Sequence, residues 1–280
     1  MKKKYFFIIL SVLLLSGCII RFVYNQLDWI IPWYAGTVIS LDGEQASELE
    51  KSLISQLKWH RVTQLSEYSK SLKELSLAVK TDLTMAHLEQ FHLTMRHYWQ
   101  DLVRHVGPDL AKILSTATDE QIDELMQNLE KRNQKFREEY VDLPKEELRE
   151  KKQKRMTQFL EYCMGNLNEK QEKIVEQWSY DLQDISTARL EYIKIWQEKF
   201  KITIEKRKDL VWFEKELCEM LYFNRETWPE AFRKVATHNR ELTQKVFIEI
   251  HKCMTNDQKE EFVENALTLV KDFDELSKET

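Results

Sequence analysis

Glycine and proline are scarce in this sequence, which has only five glycines and four prolines in 280 residues. Because hairpins and tight turns depend on these residues, such low numbers exclude a β-rich protein. Most of them stand where a helix is expected to begin or end, at Gly107-Pro108, Pro144, Gly165 and Pro229. The composition therefore predicts an all-α protein.

Catalytic and cofactor signatures are also absent. The sequence has no glycine-rich phosphate loop and none of the patterns Gly-x-Ser-x-Gly, His-Glu-x-x-His and Cys-x-x-Cys. His87, His92, His97 and His105 are close in sequence, but neighbours five apart diverge on a helix, whereas helical metal ligands stand three or four apart. We expect no catalytic residue, metal or cofactor, and hence a protein that is not an enzyme.

The sequence has no excess of positive charge, because it has 42 basic and 47 acidic residues and a net charge of −5. An acidic chain does not suggest nucleic-acid binding. Hydrophobic residues make up 42% of the chain, which is enough for a sizeable core and argues against disorder.

The one long hydrophobic run is at the N-terminus. Three lysines precede the apolar stretch from Tyr5 to Leu15, which is too short to span a hydrocarbon core of roughly 30 Å. It ends in Leu15-Ser16-Gly17-Cys18, where small residues leave room for a peptidase and the cysteine supplies a thiol for alkylation with diacylglycerol. This pattern resembles the lipobox of bacterial lipoproteins.

The resemblance implies that residues 1–17 are a signal peptide and that Cys18 carries several acyl chains, because one chain alone binds a membrane only marginally. Ile19 is not the aspartate that retains many such proteins in the inner membrane. We therefore expect an outer-membrane lipoprotein that faces the periplasm, with the inner membrane and the cell surface as alternatives.

Apolar residues recur at helical spacing after residue 42 and predict a bundle of about eight to ten amphipathic helices. Residues 18–41 would form a lipidated, membrane-proximal aromatic segment, and residues 42–280 a helical periplasmic domain with two halves that meet near 142–155. The charge-dense stretch 145–155 is expected to be a solvated helix, with a basic binding patch as the alternative.

Four segments place a capping residue three positions before a glutamine: Asp42 to Gln45, Thr118 to Gln121, Asn168 to Gln171 and Thr255 to Gln258. Each predicts a capping box at a helix start, and Thr227 to Glu230 is a fifth with Glu. The four resemble, without matching in full, the LTxxQ motif of small helical periplasmic proteins of the Spy and CpxP kind. That resemblance implies an ATP-independent chaperone or an envelope-stress regulator.

A second resemblance follows the lipobox. The segments Arg21 to Trp29 (Arg-x-x-Tyr-Asn-x-x-Asp-Trp), Trp33-Tyr34 and Trp59-His60-Arg61 resemble an uncharacterised proteobacterial lipoprotein family that carries a domain-of-unknown-function label. It implies no activity.

Polar residues interrupt the aromatic segment. If residues 21–31 are helical and end at Pro32, then Arg21, Asn25 and Asp28 form one stripe. Unpaired burial of such groups costs roughly 1–3 kcal/mol each, so His60 and Arg61 are candidate partners. We expect a structural polar network, with a ligand site or a membrane-interface position of residues 19–34 as alternatives.

Cysteine is sparse beyond Cys18. Cys163, Cys218 and Cys253 allow at most one disulfide within the chain, and an oxidising periplasm permits it. A Cys163–Cys253 bridge, a bridge from Cys218 to either, and three buried thiols all remain open.

The sequence thus predicts a membrane-anchored, non-catalytic envelope factor that binds unfolded or envelope proteins in a chaperone-like manner. The alternative is a structural adaptor that docks a single envelope partner. The anchor would be lipidated Cys18, and no nucleic acid is expected as a partner.

Overall fold

A computed structural model describes residues 18–279, so the predicted signal peptide of residues 1–17 lies outside the described residues. Within this range the chain forms eleven α-helices and no strand, which confirms the predicted all-α multi-helix bundle. The helices are α1 (Cys18–Tyr24), α2 (Leu27–Gly36), α3 (Gly43–Lys80), α4 (Met85–Ser115), α5 (Asp119–Phe136), α6 (Lys145–Met164), α7 (Glu169–Asp181), α8 (Ser186–Glu205), α9 (Leu210–Leu221), α10 (Glu230–Lys252) and α11 (Asn256–Leu276). A π-helical turn covers Arg137–Val141 and a 3-10 turn covers Arg225–Thr227.

All four glutamine capping boxes are confirmed, at the starts of α3, α5, α7 and α11. At α3, for example, the Asp42 carboxylate accepts from the backbone N–H of Gln45 at 2.9 Å, while the Gln45 amide oxygen accepts from the N–H of Asp42 at 3.0 Å. The fifth box is wrong. Helix α10 begins after Pro229 with no side-chain cap, and Thr227 ends the 3-10 turn instead.

The prediction that Gly107-Pro108 ends a helix is also wrong, because both residues lie inside α4. A Cβ on Gly107 would stand 2.4 Å from the Cys218 sulfur of α9. The glycine therefore lets α9 pack directly onto α4, and it is a packing residue rather than a helix stop. Gly165 does follow the end of α6, with a positive φ of 78° that suits glycine.

Helix α3 is the longest of the described helices. Its 38 residues span about 57 Å at 1.5 Å per residue. It packs antiparallel against α11, so that Leu65 meets Leu276 near one end of α11 and Lys80 lies beside Asn256 at the other. The C-terminal helix thereby joins the N-terminal part of the chain.

The two larger apolar cores are formed mainly by other helices. The first joins α4, α5, α8 and α9 around the fully buried Phe213 and Ile204. The second joins α6, α7 and α10 around Val175 and Ile250. Buried Arg207 fastens α8 to the start of α5, where its guanidinium donates to the carbonyl of Ala117 at 2.9 Å. The charge-rich start of α6 turns Leu148 into the protein, so this helix is only partly solvated.

Candidate functional site

The predicted polar stripe joins the two ends of the described chain. Arg21 of α1 pairs with Glu275 and, at 3.0 Å, with Glu279. Asn25 donates to the second carboxylate oxygen of Glu279 at 3.0 Å and accepts from Arg61 at 2.8 Å. Three of the five predicted network residues, Arg21, Asn25 and Arg61, are therefore brought together. Arg21 and Asn25 meet at Glu279, which could not be selected from the sequence, and Arg61 joins through Asn25.

The other two predicted network residues, His60 and Asp28, lie apart from each other. His60 lies between Tyr24 and Tyr68, with its Nδ1 2.9 Å from one hydroxyl and its Nε2 3.2 Å from the other. Burial lowers the pKa of His60 and raises the pKa of Tyr24 to about 12. Asp28 is exposed and takes no part in these contacts. Helix α2 also runs past Pro32 to Gly36, whereas the sequence predicted an end at the proline.

An exposed aromatic face lies beside this network. Helix α2 buries none of its ten residues, although it is rich in large apolar side chains. Trp29 and Trp33 are 64% and 60% exposed, and their rings stack with centroids 6.3 Å apart. Phe22 of α1 is 58% exposed. Indole rings are favoured where apolar and aqueous phases meet.

A second apolar surface is a groove between α3, α4 and α11, which we call the aromatic groove. It encloses about 430 Å³ and is lined by Tyr68, Ser71, Leu72, Phe91, Met95, Tyr98, Trp99, Leu102, Leu269 and Phe273. No charged side chain lines it. The apolar stripe of each helix can be read from the sequence, but the groove that three such stripes leave between them cannot.

The polar atoms of the aromatic groove are already used within the protein. The Tyr98 hydroxyl contacts Ser71 at 2.7 Å and donates to the carbonyl of Glu67 at 2.8 Å. The Trp99 indole N–H donates to the carbonyl of Leu221 at 2.8 Å. The groove therefore offers aromatic and aliphatic surface and little hydrogen bonding to an incoming molecule.

The four glutamine boxes form two reciprocal pairs. The amides of Gln45 and Gln121 bond each other at 3.0 and 2.7 Å, and those of Gln171 and Gln258 at 2.8 and 2.9 Å. Each pair joins two helix starts that are more than 70 residues apart in sequence. The glutamines thus have two functions, because they cap their own helices and hold a second helix in place.

Cys163, Cys218 and Cys253 form no disulfide in this structure and are free thiols. The predicted option of a Cys163–Cys253 bridge is therefore not present in it. Among residues 18–279 no group of three or more acidic, histidine or cysteine side chains is placed to hold a metal ion. None of the helices described is long and apolar enough to cross a bilayer.

Comparison with known proteins supplies a family but no activity. No curated protein and no solved structure matches the chain. One family model, described as "Family of unknown function (DUF6279)", matches residues 37–233. The matched region begins after α2 and ends at the start of α10, so it includes the α3 and α4 walls of the aromatic groove but not the α11 wall. The chain belongs to this family of unknown function.

Proposed function

We propose that this protein is a membrane-anchored envelope lipoprotein that binds apolar segments of other proteins without catalysing a reaction. The aromatic groove is the observation that carries the proposal. The partner is an unfolded or membrane protein that exposes a stretch of apolar and aromatic side chains, held in the periplasm by a chaperone-like factor.

The chemistry of the groove supports an apolar occupant. Its hydroxyl and indole groups are bonded internally, so that a polar segment would lose water without gaining partners. Met95 lines the groove with a flexible, polarisable side chain, which adapts to different partners. Such a surface discriminates poorly between sequences and suits a factor with many clients.

The anchor is supported by the sequence and by the position of α1 and α2. The lipobox ends at Cys18, the first residue of α1, and the exposed tryptophans follow within α2. Helix α1 packs on α11 through Tyr24 and Leu276, and α11 is one wall of the groove. An outer-membrane location would then hold the groove close to proteins that leave or enter the membrane.

The capping boxes add support through their likeness to the LTxxQ motif. In this protein their glutamines fasten helix starts together. These bonds hold the starts of α3 and α11, which are two walls of the aromatic groove.

The proposal is tested by aggregation of a denatured model client in the presence of the lipidated protein, reconstituted in vesicles at a molar ratio of one. We expect suppression of light scattering by the wild type and loss of most of it in Met95→Glu, because a carboxylate in the groove opposes apolar binding. Leu93→Glu is the matched control, since Leu93 is 47% exposed, lies on the same helix and does not line the groove.

Wild-type protein that leaves scattering equal to that of empty vesicles would remove the chaperone-like function. Equal losses in the two variants would show that the groove is not the binding surface. Stable capture of one folded envelope protein without any suppression would favour the adaptor alternative.

A further inference from the structure

The aromatic face of α1 and α2, formed by Phe22, Trp29 and Trp33, is left uncovered by the rest of the described protein. None of the ten residues of α2 is buried, although Asp28 is the only charged residue among them. Large apolar side chains that are exposed together on one short helix mark a surface that meets a partner. The aromatic face is therefore a candidate interaction surface, separate from the aromatic groove.

A positive charge lies at one edge of the aromatic face, where α5 meets the end of α2. The guanidinium of Arg132 contacts the Tyr34 hydroxyl and lies 4.9 Å from the centroid of that ring. It also donates to the Thr37 hydroxyl at 3.2 Å. These partners are two hydroxyls and a ring, so no carboxylate contact offsets the charge of Arg132.

The same end of α5 carries further positive charge. Asn128 donates to the carbonyl of Val38 at 3.0 Å, and Lys131 donates to Asn128 at 3.1 Å, so both residues lie close to the end of α2. Residues 128–136 contain three basic residues and one acidic residue, and α2 adds only Asp28. The two stretches together carry a formal charge of +1 (three basic against two acidic residues), in a chain whose net charge is −5.

The acidic residues on the α1 side of the aromatic face are already paired. Glu275 pairs with Arg21, and the two carboxylate oxygens of Glu279 accept from Arg21 and Asn25, each at 3.0 Å. These contacts fix α1 to the end of the described chain. The aromatic face is therefore presented on an anchored helix, next to carboxylates whose charge is partly neutralised.

The composition of this surface matches the interface of a phospholipid bilayer. Indole rings are favoured where acyl chains meet water, and a cation beside them meets the headgroup phosphates. Helix α2 is about 15 Å long at 1.5 Å per residue, so it can lie along a membrane surface but cannot cross it. Its place in the chain agrees, because Trp29 is only eleven residues from Cys18, the proposed lipid attachment.

We propose that the aromatic face, together with Arg132, binds the surface of a bilayer that contains anionic phospholipids. The inference deepens the proposed function and rests on its membrane location, but it assigns this contact to side chains rather than to the lipid on Cys18. The two indoles enter the interface, and Arg132 and Lys131 meet the phosphates. Because the chain as a whole is acidic, an anionic surface repels the rest of the protein. The protein is thereby held in one orientation instead of rotating freely on its lipid.

The test is vesicle binding of the unlipidated protein, residues 18–280 with Cys18→Ser, measured by sedimentation against lipid concentration. We expect binding to vesicles of mixed phosphatidylcholine and phosphatidylglycerol, and weaker binding to phosphatidylcholine alone. Replacement of both Trp29 and Trp33 by alanine should weaken binding at least about tenfold, because most of the apolar area that enters the interface is lost. Arg132→Gln should weaken binding to the mixed vesicles about fivefold and leave binding to phosphatidylcholine unchanged.

The matched control replaces Phe159 and Tyr162, two exposed aromatic residues of α6, by alanine. It should bind as the unsubstituted protein does, and thermal melts check that every variant is folded. No binding to the mixed vesicles, equal binding to both kinds of vesicle, or undiminished binding without the two tryptophans would each overturn the proposal. Self-association that disappears with the two tryptophans would assign the face to a second copy of the chain instead.

Failure of this inference is distinguishable from failure of the proposed function. The vesicle experiment contains no client and no lipid on the protein, so a negative result leaves both the aromatic groove and the lipid anchor untouched. The mass of the protein isolated from membranes tests the lipid on Cys18 separately, and the aggregation assay tests the groove.

Discussion

Replacement of Gln171 by alanine should destabilise the protein more than any exposed substitution on α7. Gln171 is fully buried. Its amide nitrogen donates to Gln258 at 2.8 Å and to the carbonyl of Cys253 at 3.3 Å. Its amide oxygen accepts from Gln258 at 2.9 Å and from the N–H of Asn168 at 2.9 Å. The substitution therefore removes four hydrogen bonds at the junction of α7 and α11.

The magnitude follows from what remains bonded. Each net hydrogen bond contributes about 1 kcal/mol to stability, which would give about 4 kcal/mol for four. Gln258 still donates to the carbonyl of Asn166 at 2.8 Å, and the carbonyl of Cys253 still accepts from Asn168 at 3.3 Å. Because Gln258 and the carbonyl of Cys253 each keep one hydrogen bond, we expect a loss of about 2–3 kcal/mol in the free energy of unfolding.

The assay is urea unfolding of Gln171→Ala, Gln258→Ala and the double variant. The two side chains share two bonds, so the double variant should lose about 1–2 kcal/mol less than the sum of the single variants. Gln177→Ala is the control on the same helix, where an exposed side chain should cost less than about 0.5 kcal/mol. A Gln171→Ala loss as small as that of the control, or strictly additive losses, would refute the reasoning.

Three further predictions concern other parts of the protein. Burial lowers the pKa of His60 in the folded protein, so His60 binds a proton more readily in the unfolded chain as the pH falls below about 6.5. The wild type should therefore lose stability below that pH, and His60→Gln should lose less. Parallel stability profiles of the two proteins against pH would contradict this. Gly107→Ala should cost about 1–3 kcal/mol in urea unfolding through its contact with the Cys218 sulfur, and Cys218→Ala should recover part of that loss unless the contact is irrelevant. In vesicles with brominated lipids, tryptophan quenching should fall sharply when Trp29 and Trp33 are both changed to phenylalanine, and unchanged quenching would place α2 away from the bilayer.

Local features of the fold could be predicted because their causes are local. The box from Thr118 to Gln121 determines a helix start through bonds within four residues, and the structure confirms it. The box from Thr227 to Glu230 has Glu in place of Gln and fails, because Thr227 ends the 3-10 turn and helix α10 begins only after Pro229. Gly107 was wrongly predicted to end a helix because the residue that requires a glycine there, Cys218 on α9, is more than 100 residues away in sequence.

The candidate sites depend on which helices meet, and periodicity within each helix cannot supply that. Arg21 was recognised as a polar residue in need of a partner, but Glu275 and Glu279 are over 250 residues away. The same limit applies to the pairing of the glutamine boxes. Four similar boxes allow several pairings, and nothing in their sequences distinguishes Gln45 with Gln121 from Gln45 with Gln258.

The closure of the chain at Arg21 and Glu279 has a practical consequence. Arg21 contacts Glu279, so the first helix and the end of the described chain meet on one side of the protein. Arg21 is only three residues from the proposed lipid attachment at Cys18. With Cys18 lipidated as we propose, a fluorophore or a fused domain placed after Glu279 would sit near the bilayer surface and compete for space with lipid headgroups. A tag placed away from both chain ends would leave this junction undisturbed.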